Sequence, residues 1–279
     1  SSVVLADELK TIGKHMFRSC YSLEYVTLPT QLSAIEEYAF SGSKLKKLVI
    51  PQSVTEIGNY VLYNCIVLEE VELNANMTST PMGLCYGCTK LTSLTIPEKT
   101  TQISGNFAYN CSSLCEFEIP ESVKSIGSFA FTGCTSLAQI YIPKGVTGIR
   151  NGAFEITTDI IGFVGSAAQT YANNYGNNFI DFTTVGHKVQ FVTGTEDSIA
   201  IQYKKDKDLA EEPIWSKEKV GYTFGGWYTS AQIQDETTKW DFEQDVVTED
   251  ITLYAKWIAN EYMVTFDAAG GEVRTARLL

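Results

Sequence analysis

Apolar residues recur at a nearly fixed interval along the first 182 residues of the chain. The clearest copy of the pattern is IGSFAFTGCTSLAQIYIPKGV, which occupies residues 126–146. A constant period of this length predicts a solenoid, in which each copy forms one coil of a stack. A leucine takes the same slot in six copies, with steps of 22 or 23 residues between neighbours: Leu23, Leu45, Leu68, Leu91, Leu114 and Leu137.

Each copy contains a short segment in which apolar and polar residues alternate. In one copy, Val26 and Leu28 alternate with Tyr25 and Thr27, and Pro29 follows. A period of two predicts a β-strand, and proline ends it because its nitrogen has no hydrogen to donate to the next ladder bond. Val26 and Leu28 should point inward. One coil cannot bury this apolar face alone, so neighbouring coils must cover it.

This pattern resembles the BspA-like leucine-rich repeat family of bacterial surface proteins. The likeness lies in the Ala-Phe, Cys and Ile-Pro elements of residues 126–143, which recur together at fixed offsets in five sister copies. It covers residues 3–182 approximately. The resemblance implies a mainly β fold, a right-handed leucine-rich-repeat solenoid with short helical or 3-10 segments.

Two parts of the solenoid depart from the pattern. Asn74 stands in a proline slot, and Thr80-Pro81 stands where Ile-Gly is expected. We therefore expect a local irregularity of the stack over residues 74–87. The seventh copy breaks off after Phe154, and the residues that follow predict a strand and a short polar helix, Ala167–Asn174, which should cap the open end of the core.

An aromatic-rich segment follows the solenoid. It contains GYTFGGWYT at residues 221–229, WDF at 240–242 and TLYAKW at 252–257, together with all four tryptophans of the chain. In so small a segment the tryptophans should form the core. These motifs look like the Listeria–Bacteroides repeat of internalin-type proteins, over residues 187–258 approximately. That resemblance implies a small β-grasp-like domain of an extracellular bacterial protein.

The two patterns together predict the organisation of the chain. MVTFDAAGGEV at residues 263–273 echoes KVQFVTGTE at residues 188–196, which indicates that a second copy of the aromatic module begins there. Because the chain also begins inside a repeat, we expect it to be a fragment of a longer repeat protein. The predicted segments are a capped solenoid at 1–182, the aromatic module at 183–258 and the start of its second copy at 259–279.

Charge and hydropathy exclude some classes of partner. The net charge is −12, and both halves of the chain are acidic, which argues against nucleic acid as a partner. No apolar run approaches the roughly 20 residues that a membrane-spanning helix needs. We expect a monomer with no membrane insertion within this chain.

No constellation of residues predicts catalysis or metal binding. Cys85 and Cys88 have redox or zinc spacing, but no second ligand pair is apparent, and both fall on buried slots of the repeat. The two histidines, His15 and His187, lie in different domains. The acidic residues at 241–245 lack the glycine and the terminal glutamate of a calcium loop. We therefore expect free thiols, no enzyme activity, no cofactor and no metal.

The outward positions of the strands form the candidate binding site. The repeat constrains the inward residues and leaves the outward ones free to vary, and exposed positions on a rigid scaffold often carry binding residues. The alternative is simple solvent exposure. The two outward columns, called the strand face below, are Tyr25, Lys47, Glu70, Ser93, Glu116 and Gln139 in one and Thr27, Val49, Glu72, Thr95, Glu118 and Tyr141 in the other.

The strand face should be acidic in its middle, with a tyrosine at each end. Through the family resemblance, we expect a secreted or cell-surface bacterial protein whose strand face binds a protein or another macromolecule of a host or neighbouring cell, as an adhesin does. The alternative is a non-catalytic targeting module of a larger extracellular enzyme, which would bind a polysaccharide or a protein.

Overall fold

The chain forms two compact units, Ser1–Val185 and Gly186–Leu279. Each unit has its own hydrophobic core. The computed structural model describes residues 1–195, 197, 199–265 and 275–278.

The first unit consists mostly of short strands, with one α-helix near its end. In chain order its elements are β1 (Ser2–Val4), β2 (Thr11–Ile12), β3 (Tyr25–Thr27), β4 (Ala34–Ile35), β5 (Lys47–Ile50), β6 (Glu56–Ile57), β7 (Glu70–Leu73), β8 (Ser93–Thr95), β9 (Gln102–Ile103), β10 (Ser125–Ile126), β11 (Gln139–Tyr141), β12 (Gly148–Ile149), β13 (Asp159–Gly162), α1 (Ala167–Tyr175), β14 (Phe179–Asp181) and a 3-10 helix at Phe182–Thr184.

These strands stack in two parallel columns. The first column contains the sheets β1-β3, β5-β7-β8 and β11-β13-β14, and the second contains β2-β4-β6 and β9-β10-β12. Paired residues lie one repeat apart, so that Lys47 is opposite Glu70, which is opposite Ser93. The period of the sequence is therefore the period of the stack, and the predicted β-solenoid is confirmed.

The third side of each coil is a tight turn with two residues in the left-handed region. Backbone N–H groups of these turns donate to the next coil, as from Leu62 to the Leu84 carbonyl at 3.0 Å. Every coil closes equivalent bonds to its neighbour, so the conformation repeats. The residues with positive φ are His15, Tyr38, Tyr60, Gly83, Asn106, Phe129 and Gly152 in the first slot and Ser19, Gly42, Asn64, Gly87, Asn110 and Gly133 in the second.

Some glycines in these slots make room for a side chain of the preceding coil. A Cβ atom at Gly83 would overlap the Tyr60 ring, and one at Gly87 would overlap the Asn64 side chain. Glycine suits each of these two positions for two reasons. It adopts the positive φ without strain, and it has no Cβ atom to overlap the neighbouring side chain.

The core of the solenoid is a set of side-chain ladders with one rung per coil. All six corner leucines are buried, and Leu91 has no exposed surface. Phe131 and Phe154, which occupy the same slot in successive coils, stack with ring centroids 5.5 Å apart. Each rung is thus covered by its neighbours, and stability accumulates from contacts between adjacent coils.

The helix predicted to cap the stack is confirmed as α1. Ser166 caps its N-terminus by accepting a hydrogen bond from the Gln169 N–H, and Gly176 follows its last turn with φ of 79°. On the buried side, the Tyr171 hydroxyl accepts a hydrogen bond of 3.0 Å from the Phe154 N–H. The helix therefore contacts the last phenylalanine of the core ladder.

The irregularity predicted for the fourth copy is also confirmed. The second column stops at β6 and resumes at β9, and the coil between them contributes a single bridge, Ser79 opposite Gln102. Pro81 occupies the slot of Gly58, whose N–H donates to the Ile35 carbonyl at 2.8 Å. Proline has no hydrogen to donate, so it cannot make this ladder bond.

The second unit contains a four-stranded mixed sheet and a hairpin. The sheet order is β16-β15-β18-β17, in which β15 and β18 are parallel and each outer strand is antiparallel to its neighbour, while β19 and β20 form the hairpin. The strands are β15 (His187–Val192), β16 (Gln202–Lys204), β17 (Tyr222–Tyr228), β18 (Ile251–Ala259), β19 (Tyr262–Thr265) and β20 (Thr275–Leu278).

Aromatic side chains form much of the core of this sheet. The Trp227 ring is buried and lies 5.1 Å from the Phe191 ring and 5.5 Å from the Trp215 ring. The described residues of this unit contain no helix, and the β-grasp-like fold stays a prediction. The predicted echo at residues 263–273 falls mostly outside the described residues.

Replacing Leu91 by alanine should lower the free energy of unfolding by about 2–5 kcal/mol, because it leaves a cavity in a closed ladder. The neighbouring Lys90 is exposed, and Lys90→Ala, the control, should change stability by less than about 0.5 kcal/mol. Urea denaturation measures both. Equal stability of the two variants would contradict the register of the repeat.

Gly83→Ala should destabilise the solenoid by about 1–3 kcal/mol through its left-handed backbone alone, with a further cost from overlap with Tyr60. The double variant Tyr60→Ala, Gly83→Ala should cost less than the sum of the single changes, because the overlap is gone. Urea denaturation measures all three variants. If the double variant loses as much unfolding free energy as the two single variants together, Tyr60 and the Cβ atom that Gly83→Ala introduces do not compete for this space.

Candidate functional site

The structure brings six residues of the strand face together on one continuous sheet. Across β5, β7 and β8, Lys47 lies opposite Glu70 and Ser93 in one column. Val49 lies opposite Glu72 and Thr95 in the other column. These side chains are half-buried or exposed, while the alternate residues of the same strands are buried. The core thus holds the outward set at fixed spacing.

Lys47 forms an ion pair with both glutamates of the next coil. Its Nζ lies 2.7 Å from a Glu70 carboxylate oxygen and 2.8 Å from one of Glu72. The hydrogen bond to Glu70 is the largest cause that raises the pKa of Lys47. The hydrogen bond from Lys47 likewise lowers the pKa of Glu72. The middle of the strand face is therefore partly neutralised, which reduces the acidic character expected from its sequence.

The next coil keeps the alternation of the strand face without a paired strand. Residues 114–120 are outside regular secondary structure. Phe117 and Ile119 are nevertheless buried, whereas Glu116 is half-buried and Glu118 is exposed. The strand face therefore continues through this coil, but no ladder joins β8 to β11.

The two aromatic ends of the strand face differ. Tyr25 is 50% exposed, with Lys46 Nζ at 6.0 Å from its ring centroid. Tyr141 instead packs against Phe182, at 4.6 Å between centroids, and lies 6.5 Å from Phe163. Burial is the largest cause that raises the pKa of Tyr141 to about 12. Tyr25 is the open aromatic end, and Tyr141 belongs to a cluster near the C-terminal cap.

The remaining strand-face residues lie on the terminal strands. Thr27 is exposed at the end of β3, and Gln139 is half-buried at the start of β11, opposite Asp159. They belong to sheets separate from β5-β7-β8.

A surface ladder of aromatic rings runs along the turns and was missed by the sequence analysis. Neighbouring ring centroids are separated by 5.4, 5.4, 6.0, 5.0 and 4.6 Å along the series His15, Tyr38, Tyr60, Tyr63, Tyr86 and Tyr109. Tyrosine recurs with the repeat period at residues 63, 86 and 109, a signal that could have found it. The ladder accounts for His15 as a stacked surface residue.

The cysteines are free, and most belong to the core. In successive coils the thiols of Cys65, Cys88, Cys111 and Cys134 each donate to a backbone carbonyl at 3.0–3.2 Å. Burial raises the pKa of Cys85 well above its usual value. Cys85 and Cys88 are thus buried thiols rather than a reactive redox pair.

A groove of about 910 Å³ lies over β2, β4 and β6 and was also missed by the sequence analysis. Three glutamates and one lysine supply its charges. Lys14 donates from Nζ to Glu37 at 2.6 Å and from its backbone N–H to Glu36 at 2.7 Å. Residues 76–79 of the irregular fourth coil form one end of the lining.

Comparison with known proteins decides the family. The sequence profile of the BspA type leucine rich repeat region matches six copies, over residues 1–115 and 83–176. The chain belongs to the BspA-type leucine-rich repeat family. The profile of the Listeria-Bacteroides repeat domain matches residues 187–256, which contain β15, β16, β17 and the first six residues of β18.

The chain matches only part of the length of the following relatives. It is 42% identical over 87 residues to a putative membrane protein of Evansella cellulosilytica, a match that covers 30% of the chain and 12% of that protein. It is 32% identical over 126 residues to internalin H of Listeria monocytogenes, covering 41% and 22%. The crystal structure of a leucine-rich repeat protein from Eubacterium ventriosum matches with 29% identity and a TM-score of 0.54, covering 56% and 42%. The chain spans less than half of each of these relatives.

The described part of this BspA-type chain contains neither a candidate membrane span nor a candidate metal-binding cluster. No helix there is both long enough and apolar enough to cross a bilayer. The same residues include no group of three or more His, Cys, Asp and Glu side chains that could hold a metal ion.

The buried thiols should make stability fall at high pH. Burial raises the pKa of Cys65 and Cys134 to about 12, whereas a cysteine thiol in the unfolded chain has a pKa of about 8.5. Because the folded value is higher, the stabilisation is complete below about pH 8.5 and is lost as pH rises towards 12. Chemical denaturation at about pH 8 and about pH 10.5 measures this loss.

Cys134→Ser is the control for this pH dependence, because a serine hydroxyl can still donate to the Ala108 carbonyl but does not titrate in this range. Its stability should fall less steeply with pH than that of the unchanged protein. Identical slopes would show that Cys134 does not contribute.

Proposed function

We propose that this chain is a non-catalytic interaction part of a bacterial surface or secreted protein. Its strand face would bind a protein of a host or neighbouring cell. The families found along the chain are repeat modules, and relatives include a putative membrane protein and an internalin. These names support a location at the cell surface or outside the cell.

The observation that carries this proposal is the registered sheet β5-β7-β8. Its outward side chains sit directly above one another on a closely packed core, so their spacing does not depend on a partner. Lys47, Glu70 and Glu72 further restrain one another through two ion pairs. Such a preorganised surface loses little conformational entropy on binding.

The charges and exposures on the strand face indicate how a partner would bind. Glu118 is an exposed acid of the face, and Tyr25 and Val49 are its exposed aromatic and aliphatic residues. Aromatic residues often dominate the energy of an interface, whereas rim charges mainly affect the association rate. We propose Tyr25 and Val49 as anchors and Glu118 as a steering charge.

A matched pair of triple variants of the whole chain tests this proposal. The face variant carries Tyr25→Ser, Val49→Ser and Glu118→Lys. The control variant carries Tyr21→Ser, Ile66→Ser and Glu98→Lys, which change the same kinds of side chain in exposed turns. Both variants and the unchanged protein are applied to a panel of purified extracellular-matrix and cell-surface proteins and to a glycan array.

The proposal expects saturable binding to a protein on the panel, loss of that binding in the face variant, and retention in the control. Equal loss in both variants would contradict a role for the strand face. Binding to glycans alone would instead support the polysaccharide-targeting alternative. Thermal unfolding of each variant checks that the scaffold is intact.

A further inference from the structure

The second column of the solenoid is held by one recurring backbone bond. The residue after each ladder isoleucine donates its N–H to the isoleucine carbonyl of the preceding coil. This bond measures 2.8–2.9 Å in four places, at Glu36 to Ile12, Gly58 to Ile35, Gly127 to Ile103 and Arg150 to Ile126. A second set of bonds precedes it in each coil, as from Thr55 N–H to the Ser33 carbonyl at 2.9 Å.

Both sets of bonds fail between the third and fourth coils. Among the residues that the structure describes, the carbonyls of Thr55 and Ile57 accept no hydrogen bond, and the N–H groups of Thr78 and Ser79 donate none. Pro81 has no N–H for Ile57. On its other side the fourth coil keeps the regular ladder bond to the fifth, with Thr80 N–H donating to the Gln102 carbonyl at 3.0 Å. The edge of β6 that faces this coil is therefore unpaired at Thr55 and Ile57. The two coils are still joined on either side of it, by Asn76 N–H donating to the Val54 carbonyl and Tyr60 N–H donating to the Met82 carbonyl, both at 2.9 Å.

This unpaired edge faces an open groove. The groove of about 910 Å³ is lined on one side by residues 55–58, which contain β6, and at the other by residues 76–79 of the fourth coil. Thr55, Thr78 and Ser79 are exposed, so this end of the groove is open to solvent. An unpaired strand edge with accessible carbonyl and N–H groups is a template for another extended chain.

The charge of the groove selects the chemistry of that chain. Glu36, Glu37 and Glu56 line it, and Lys14 is its single lysine or arginine. Lys14 already pairs with Glu37. Within the described structure, the exposed Glu56 carboxylate forms no hydrogen bond or ion pair. A ligand that supplies cations would therefore find unneutralised acidic partners.

We propose that this groove binds an extended peptide with basic side chains, which pairs its backbone with the free edge of β6. In a strand, successive side chains point to opposite sides, so lysines or arginines at alternate positions would all face the glutamates. Main-chain bonds would supply affinity and the acidic wall would supply selectivity, as in recognition by β-strand addition. This site is separate from the strand face and does not depend on the function proposed above.

A synthetic peptide probe tests the proposal on the whole chain. The probe is a fluorescent octapeptide that alternates lysine and valine, and its binding is followed by anisotropy. It should bind saturably and more weakly as salt rises. The glutamate-valine peptide should not bind. A lysine-valine peptide with N-methyl groups on alternate backbone amides should lose about tenfold or more in affinity, because it keeps the charge but loses main-chain bonds.

The variant Pro81→Gly provides the matching change in the protein. Glycine occupies this slot in other coils and would restore the N–H that Ile57 lacks, so it should close the edge and reduce probe affinity about tenfold. Pro143→Gly, a proline change at the end of β11, is the control and should leave affinity unchanged. Glu56→Gln should weaken binding and reduce its salt dependence.

Two outcomes would overturn the proposal. The first is equal binding of the N-methylated and unmodified lysine-valine peptides, since attraction between charges would then account for all binding. The second is unchanged affinity in folded Pro81→Gly. The peptide comparison uses the unchanged protein, so it remains decisive even if Pro81→Gly does not fold.

Discussion

The structure depends on one constraint: a single coil of this chain cannot bury its own apolar face. Coils contribute a leucine to the corner ladder and an apolar residue, most often phenylalanine, to a second ladder, and the coils before and after exclude water from both. Because burial is shared only between neighbours, any coil that shifted its register would expose its own ladder residues and uncover theirs. Ladder residues must stay in register from coil to coil, and they therefore recur every 22 or 23 residues along the chain.

The same constraint governs features that look local. Tyr60 adopts a left-handed conformation that bulky residues rarely occupy, and it does so at a slot where every coil closes equivalent bonds. Gly83 in the next coil leaves room for its ring. Thiols at the Cys65 slot donate to carbonyls of the preceding coil in four successive coils. Contacts with the neighbouring coil therefore restrict the residue type at these positions as much as contacts within the same coil do.

Where the stack is complete, it presents a flat registered surface, and where it is interrupted, it presents unsatisfied backbone. The first situation occurs at β5-β7-β8, where Lys47 links two glutamates of the neighbouring coil. The second occurs at Pro81, which removes one donor and leaves the edge of β6 beside an acidic groove. We propose the first as a site for a folded protein surface and the second as a site for an extended chain. The two proposed sites therefore use the complete and the interrupted parts of the same repeat.

Much of this fold follows from the sequence alone, because its ladders are periodic and period is a property of sequence. The solenoid, the strands that end at proline and the irregular fourth copy follow from slot identities, and the helix predicted at residues 167–174 after the last copy forms over Ala167–Tyr175. Only the tertiary structure decided how the surface is arranged, since surface contacts join residues whose side-chain conformations the period does not specify. The period does not specify the rotamer of Lys47, and this rotamer decides that its ammonium group pairs with both Glu70 and Glu72 and does not point into solvent. The packing of Tyr141 on Phe182 joins a repeat to a cap that has no repeat. The groove beside β6 lies where the N–H groups of Thr78 and Ser79 donate to no carbonyl of the third coil. Which backbone groups stay unpaired depends on how neighbouring coils meet, and no single repeat specifies that contact.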